Sequence, residues 1–225
     1  MENTPGERRP RPRLEGLADL IFGLSLSIGS IALIANSPLN SGEINSHILA
    51  FIFSFLMVIT AWLIYTTQMS VLPLETRTGT FLNVVLLLLV ALVPYLLNSV
   101  ELVNGTLTPA QASSLKDYSS TLFALDLAGI LSILACFAHV ISLEEKRLVE
   151  PATARGFRRG RNQMVGLALL MLISIAPQFW QVTLLGVPLR LYVWYAPLIV
   201  YWVGRAIHPE TLVSSATGAA QTSEG

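Results

Sequence analysis

The stretch ILAFIFSFLMVITAWLIYTTQM fills positions 48–69 and contains no Asp, Glu, Lys or Arg. A bilayer core of ~30 Å is crossed by about 20 apolar helical residues, so this stretch predicts a membrane-spanning helix. The rest of the chain agrees, because 53% of its 225 residues are hydrophobic and only 12% are charged. Soluble domains carry about twice that charge. Together with a net charge of zero, this composition argues against a soluble enzyme, a disordered chain and a nucleic-acid-binding protein.

Five more stretches have the length and the apolar composition of a membrane span. In chain order, predicted spans 1 to 6 cover Gly16–Ala35, Ile48–Met69, Phe81–Val100, Ser119–Ser142, Met164–Gln181 and Leu189–Ile207. We therefore predict an all-α membrane protein whose single domain, residues 13–208, contains six transmembrane helices. The polar ends, residues 1–12 and 209–225, are predicted to be disordered and cytoplasmic.

The basic residues are distributed unequally between the two sides of the predicted membrane domain. Twelve lie on the side of the termini and only two, Lys116 and Arg190, lie on the other. Positively charged loops stay in the cytoplasm, so both termini are predicted to be cytoplasmic. Arginines before span 1 are also typical of a signal peptide. Span 1 is longer than a signal-peptide core and no A-x-A site follows it, which favours a permanent helix.

The sequence has no motif of a known catalytic or metal site. The patterns H-E-x-x-H, G-x-S-x-G and the P-loop are absent. The histidines His47, His139 and His208 are far apart, and Cys136 is the single cysteine. We therefore predict no enzyme activity, no catalytic residue, no metal site and no cofactor. The sequence T-V-G-Y-G is absent as well, which excludes a conventional carbonyl-filter potassium channel.

Two carboxylates lie inside predicted spans, where each charge costs ~2.5–3.5 kcal/mol and indicates a functional site. Asp19 lies one turn into span 1, on the cytoplasmic side. It is expected to be a hydrogen-bonded strut between helices or an ion-binding group. Asp126 lies two turns into span 4, on the outer side. It is expected to pair with Arg190 or to face an outer vestibule.

Aromatic residues and prolines mark further positions in the spans. Trp62 and Tyr65 share one helix face near the cytoplasmic end of span 2, which is typical of interfacial anchoring. Pro94, Pro177 and Pro197 fall inside spans 3, 5 and 6. Because proline removes a helical hydrogen bond, kinks are predicted at these three positions.

Span 1 has two stripes of residues at helical spacing. The aliphatic stripe consists of Leu20, Leu24, Ile28, Ile31 and Ala35. The small-residue stripe beside it consists of Gly16, Gly23, Ser27 and Ser30. Small residues allow helices to pack closely. The spacing alone favours a lipid-facing aliphatic face next to a face that packs tightly.

The start of span 1, Arg13-Leu-Glu-Gly-Leu-Ala-Asp19, resembles the R-x-x-x-F-S-D motif of the endolysosomal potassium channel family, transmembrane protein 175 and its prokaryotic relatives. Span 2 has Ser54-Phe55 followed by Trp62, similar to the family pattern S-F…W. Span 3 has Asn83 and a leucine run before Pro94-Tyr95, similar to N…L-L…P-F. The resemblance covers most of the membrane domain. It identifies the chain as similar to one prokaryotic repeat.

The resemblance implies a homotetramer in a prokaryotic cell membrane, with four copies of span 1 around a central pore. Its partners would be other copies of itself, membrane lipid and potassium as the permeant ion, with no nucleic acid. The hydrophobic constriction would consist of Leu24, Ile28 and Ile31, with Ser27 as a polar position beside the pore. The residues matching the family's bracing network are Arg13, Asp19, Trp62 and Asn83.

The expected function is therefore a potassium-preferring cation channel without a carbonyl filter. The sequence departs from the family at Leu17 and Ala18, which replace Phe and Ser, and at Tyr65 and Thr66, which replace the His residues after Trp62. These changes leave a non-conducting membrane scaffold as an alternative. Asp19 and Asp126 leave an ion- or proton-coupled transporter as another, although no internal repeat supports it.

Overall fold

The computed structural model describes residues 13–35, 41–72, 76–101, 108–143, 149 and 151–207, and it is almost entirely helical. The first four helices are α1 (Arg13–Ala35), α2 (Ser41–Met69), α3 (Arg77–Glu101) and α4 (Pro109–Ile141). The remaining elements are α5 (Pro151–Ser174), α6 (Pro177–Gln181), β1 (Thr183–Leu184), β2 (Val187–Pro188), α7 (Leu189–Val193) and α8 (Ala196–Ile207). The ends predicted to be disordered, 1–12 and 209–225, lie outside the described residues.

Three of the described helices are long and apolar enough to cross a membrane, as an integral membrane protein requires. Their apolar segments are Ile44–Met69 in α2, Arg77–Val100 in α3 and Ala110–Ile141 in α4. The segment in α3 has 24 residues and is about 36 Å long at 1.5 Å per residue. A shorter apolar helix, Gly16–Ile31, lies within α1. The all-α class is confirmed, and predicted spans 1 to 4 fall on α1 to α4.

The last two predicted spans are not continuous helices. Span 5 begins in the second half of α5, continues past its end at Ser174 and finishes in α6. Span 6 is divided between α7 and α8 by a turn at Trp194 and Tyr195. Pro177 and Pro197 lie in the first turns of α6 and α8, where the missing N–H costs nothing, so the predicted kinks are helix breaks. Only Pro94 lies within a long helix.

A two-stranded hairpin separates α6 from α7. Thr183 pairs with Pro188 and Leu184 with Val187 in antiparallel register, so the loop has two residues. Both loop residues have positive φ, 52° at Leu185 and 79° at Gly186. Two-residue hairpin loops favour this geometry because it matches the twist of the strands. Glycine adopts it without strain, whereas leucine does not.

The helix α4 forms the centre of the chain. The most apolar window of α4 is 67% buried, compared with 39% for α2 and 44% for α3. It packs mainly against α5 and α3, and α2 contacts it as well. A capping box fixes its start, where the hydroxyl of Thr108 accepts from the backbone N–H of Gln111. The helix α1 packs against α2 and α3, at the edge of this bundle.

Candidate pore-lining face and buried polar groups

The aliphatic stripe of α1 is exposed along its described length. Leu24 is 59% exposed and Ile31 is 62% exposed, and Leu20 and Ile28 are exposed as well. The opposite face of α1 is buried against α2 and α3 through Ala18, Phe22 and Ser25. The predicted constriction residues therefore lie on the surface of one chain. The side chain of Ala35 lies outside the described residues.

The small-residue stripe of α1 is also open within the described part of the chain. No atom of the described residues lies within 4 Å of a Cβ built on Gly16 or Gly23. The hydroxyls of Ser27 and Ser30 donate to carbonyl oxygens one turn back, at 3.0 and 3.2 Å. The prediction that this stripe packs tightly against neighbouring helices does not hold inside the chain. Close packing occurs at Gly29 instead, where a Cβ would lie 3.7 Å from Phe51.

Asp19 contacts one of its predicted bracing partners. The indole Nε1 of Trp62 donates to Asp19 Oδ1 at 3.1 Å, which joins the N-terminal part of α1 to the C-terminal half of α2. Asn83 does not take part, because among the described residues neither side-chain atom of this fully buried amide has a hydrogen-bond partner. The side chain of Arg13 lies outside the described residues. Of the three bracing residues whose side chains are described, only Asp19 and Trp62 are in contact.

The aromatic pair in α2 does not act as a pair of interfacial anchors. Tyr65 is buried at 2% exposure. Its ring lies 5.6 Å from that of Phe22 in α1, measured between centroids. Interfacial anchoring was the wrong interpretation of Tyr65, because the helix face that carries it is covered by α1. The pair Tyr65 and Phe22 contributes to the packing that fixes the inner half of α1.

Arg190 is the most highly bonded side chain of the described part of the chain, and it is 1% exposed. From α7, its guanidinium donates to Asp117 Oδ1 at 2.7 Å, Ser120 Oγ at 2.8 Å and Thr121 Oγ1 at 2.9 Å, all in α4. It also donates to the carbonyls of Ser174 and Ile175 after α5. The ring of Trp180 lies 5.5 Å from it. This network ties the broken C-terminal segments to α4.

The predicted partner of Arg190 is therefore wrong. Arg190 pairs with Asp117, nine residues before Asp126 on the same helix. The sequence contained a usable pattern, because Asp117, Ser120 and Thr121 are spaced i, i+3, i+4 and share one face of α4. That pattern lies at the start of predicted span 4, where polar residues are expected at the membrane surface. The pattern therefore did not distinguish Asp117 as the partner of Arg190.

Asp126 lies in the interior of α4 and is 5% exposed. Neither of its carboxylate oxygens has a hydrogen-bond partner among the described residues. Within that part of the chain, it therefore faces neither an ion pair nor an open vestibule. The Nε1 of Trp194 also has no hydrogen-bond partner among the described residues, and Trp194 is 3% exposed.

The C-terminal end of α4 and the N-terminal end of α5 form a strongly basic region. Arg155, Arg158, Arg159 and Arg161 occupy the second and third turns of α5. The guanidinium of Arg161 lies 3.0 Å from His139 Nδ1 in α4, and Arg158 donates to the Ser142 carbonyl at 3.4 Å. This basic cluster marks one end of the bundle, and the hairpin marks the other.

Comparison with known proteins adds no relative. No protein-family model matches the chain, and no curated protein or solved structure matches it. The similarity to the potassium channel family thus rests on the motif residues in α1, α2 and α3. It stays a prediction.

Proposed function

We propose that the protein is a potassium-preferring cation channel in which four copies of α1 surround a central pore. One observation carries the proposal. The aliphatic stripe and the small-residue stripe of α1 lie side by side, and both are open, whereas Ala18, Phe22 and Ser25 on the opposite face are buried. A glycine- and serine-lined face next to an uncovered apolar face suits close packing against identical helices.

The stripe has the chemistry of a hydrophobic constriction. Leu24, Ile28 and Ile31 are separated by four and three residues, so their rings would lie ~6 Å and ~4.5 Å apart along the pore. A hydrated ion loses hydrogen bonds in such a constriction, and potassium sheds water more easily than sodium. The pore would therefore gate by dewetting and select by the cost of dehydration. The hydroxyl of Ser27 would lie beside it.

Ion flux from liposomes tests this function. Leu24→Ser and Ile28→Asn are expected to raise potassium flux and to reduce the preference for potassium over sodium, because a polar ring lowers the dehydration barrier. Leu88→Ser in α3 is the matched control, because Leu88 is 60% exposed and Leu24 is 59% exposed. Unchanged flux and selectivity in both α1 variants would mean that the aliphatic stripe faces lipid.

The proposed orientation places the termini and the basic cluster of α5 in the cytoplasm and the hairpin outside. Single cysteines in a Cys136→Ser background test it. In intact cells, Leu185→Cys at the hairpin tip should react with a membrane-impermeant maleimide. Arg159→Cys should react only after permeabilisation, because it would lie in the cytoplasm. Both side chains are exposed, so both cysteines are accessible to the reagent from their own side of the membrane. The reverse pattern would overturn the orientation.

A coupled transporter is the second candidate, since Asp126 is a buried carboxylate that has no hydrogen-bond partner among the residues with a described position. Such groups serve as proton relays in membrane transporters. Purified protein in planar bilayers separates the candidates. Single-channel steps support the channel, slow coupled flux that is lost in Asp126→Asn supports the transporter, and electrical silence with no flux contradicts both and supports a scaffold.

A further inference from the structure

Asp126 and Trp194 are two buried polar residues, and each lies close to Phe123 of α4. The Trp194 ring packs on Phe123, with centroids 4.4 Å apart. Phe123 and Asp126 are three residues apart, which places them about 60° from each other around the helix, one turn apart. An unpartnered N–H donor and an unpartnered carboxyl group thus lie next to the same phenylalanine.

No Lys or Arg lies in the apolar parts of the described helices that surround Asp126. The sequence has no Asp, Glu, Lys or Arg at positions 48–72, 78–100, 162–189 or 191–204, which supply the apolar parts of the helices around α4. Arg190 lies toward the outer end, at the level of Asp117 to Thr121, and its donors are already bound there. Cys136 and His139 lie toward the inner end and are exposed.

A bare carboxylate in this position would be costly, since the penalty for burying an unpaired ion is several kcal/mol. A protonated carboxyl group avoids most of that penalty. A metal cation would need several oxygen ligands, and no group of three His, Cys, Asp or Glu side chains occurs in the described part of the chain. The donor at Trp194 also favours an uncharged acceptor or water over a cation.

We propose that Asp126 and Trp194 form a buried proton-binding site, in which the Asp126 carboxyl group is neutral and water links its carbonyl oxygen to the Trp194 N–H. The ligand of the site is a proton together with water. The site is separate from the aliphatic stripe of α1, and it stands whether or not α1 lines a pore.

Infrared difference spectroscopy of the full-length protein in lipid at neutral pH tests the proposal. Wild type minus Asp126→Asn should show the loss of one C=O stretching band of a protonated carboxyl group, and that band should move to lower frequency in D₂O. Asp19→Asn is the control and should leave this protonated-carboxyl band in place. If Asp126→Asn removes carboxylate bands, the proposal is wrong.

Two further variants test the same site. Asp126→Glu keeps the carboxyl group, so it should move the protonated band rather than remove it, even if Asp126→Asn does not fold. Trp194→Phe removes the N–H donor, so the Asp126 band should shift to higher frequency as its carbonyl loses a hydrogen bond. An unmoved band in Trp194→Phe would exclude the shared site, and no protonated band in the wild type would exclude the neutral carboxyl group.

Discussion

Two helices of this chain carry apolar stripes of nearly the same spacing with opposite environments. In α4, Phe123, Leu127, Ile130 and Leu134 follow the pattern i, i+4, i+7, i+11, and all four are buried. In α1, Leu20, Leu24, Ile28 and Ile31 follow i, i+4, i+8, i+11, and all four are exposed. Both stripes are large, branched or aromatic, so composition does not separate them.

The difference shows that spacing identifies an apolar face but not what covers it. The stripe of α4 is covered by helices of its own chain, which the polar network of Arg190 holds in place. The stripe of α1 is left to lipid or to another copy of the chain. The open glycines Gly16 and Gly23 beside it favour another copy, because lipid does not require a small-residue face.

Loss of the Arg190 network, which holds the helices over the α4 stripe, should cause the largest loss of stability. Arg190→Met leaves the carbonyls of Ser174 and Ile175 without their donor, and each buried acceptor that loses its donor should lower the free energy of unfolding by about 1–3 kcal/mol. Reversible unfolding in mixed micelles measures this. Arg205→Met is the matched control, since Arg205 is exposed and contacts only the hydroxyl of Tyr201 among the described residues. A loss no greater than that of the control would contradict a structural role for Arg190.

Truncation of one residue from each stripe tests the comparison itself. Phe123→Ala should cost about 3–5 kcal/mol of unfolding free energy, because it leaves a cavity beside Trp194 and Phe53. Leu24→Ala should change the stability of the folded chain by less than about 0.5 kcal/mol. The same unfolding measurement compares them. Equal losses would mean that α1 is buried by its own chain.

The smallest effect is expected at the inner end of α1. Trp62→Phe and Asp19→Ala each remove the same hydrogen bond, so each should cost about 0.5–1.5 kcal/mol. The double variant should cost little more than either single variant, since the two changes remove one interaction. Chromatography should also show reduced tetramer in each. Fully additive losses would show that Asp19 and Trp62 act independently.

The sequence was sufficient to predict the long helices of the first two thirds of the chain. Uninterrupted apolar windows longer than 20 residues leave helix as the one way to satisfy the backbone in lipid, and α2, α3 and α4 follow from that. The sequence was insufficient to predict the helix boundaries after Pro151. Sequence windows that include Pro177 or Pro197 still have an apolar average composition, although each proline lies in the first turn of a new helix. The hairpin was hidden in the same way, since Thr183 to Pro188 is as apolar as its neighbours.

The candidate site was predicted in part. Asp19 and Trp62, two of the residues that the family resemblance groups together, are in contact, and their bracing role stays a prediction. The partner of Arg190 was misassigned because pairing depends on how α7 is positioned by the break after α5. The unpartnered state of Asp126 could not be predicted either, since it depends on which helices enclose α4. Local spacing carries no information about those contacts.

Cysteine accessibility tests most directly whether the aliphatic stripe lines the permeation path. Leu24→Cys and Leu88→Cys, each in a Cys136→Ser background, are reconstituted in liposomes, and potassium flux is measured before and after a small water-soluble thiol reagent. Blocked flux in Leu24→Cys, with unchanged flux in Leu88→Cys, is the predicted result. Flux that persists in Leu24→Cys after complete modification, shown by mass spectrometry, would contradict the account.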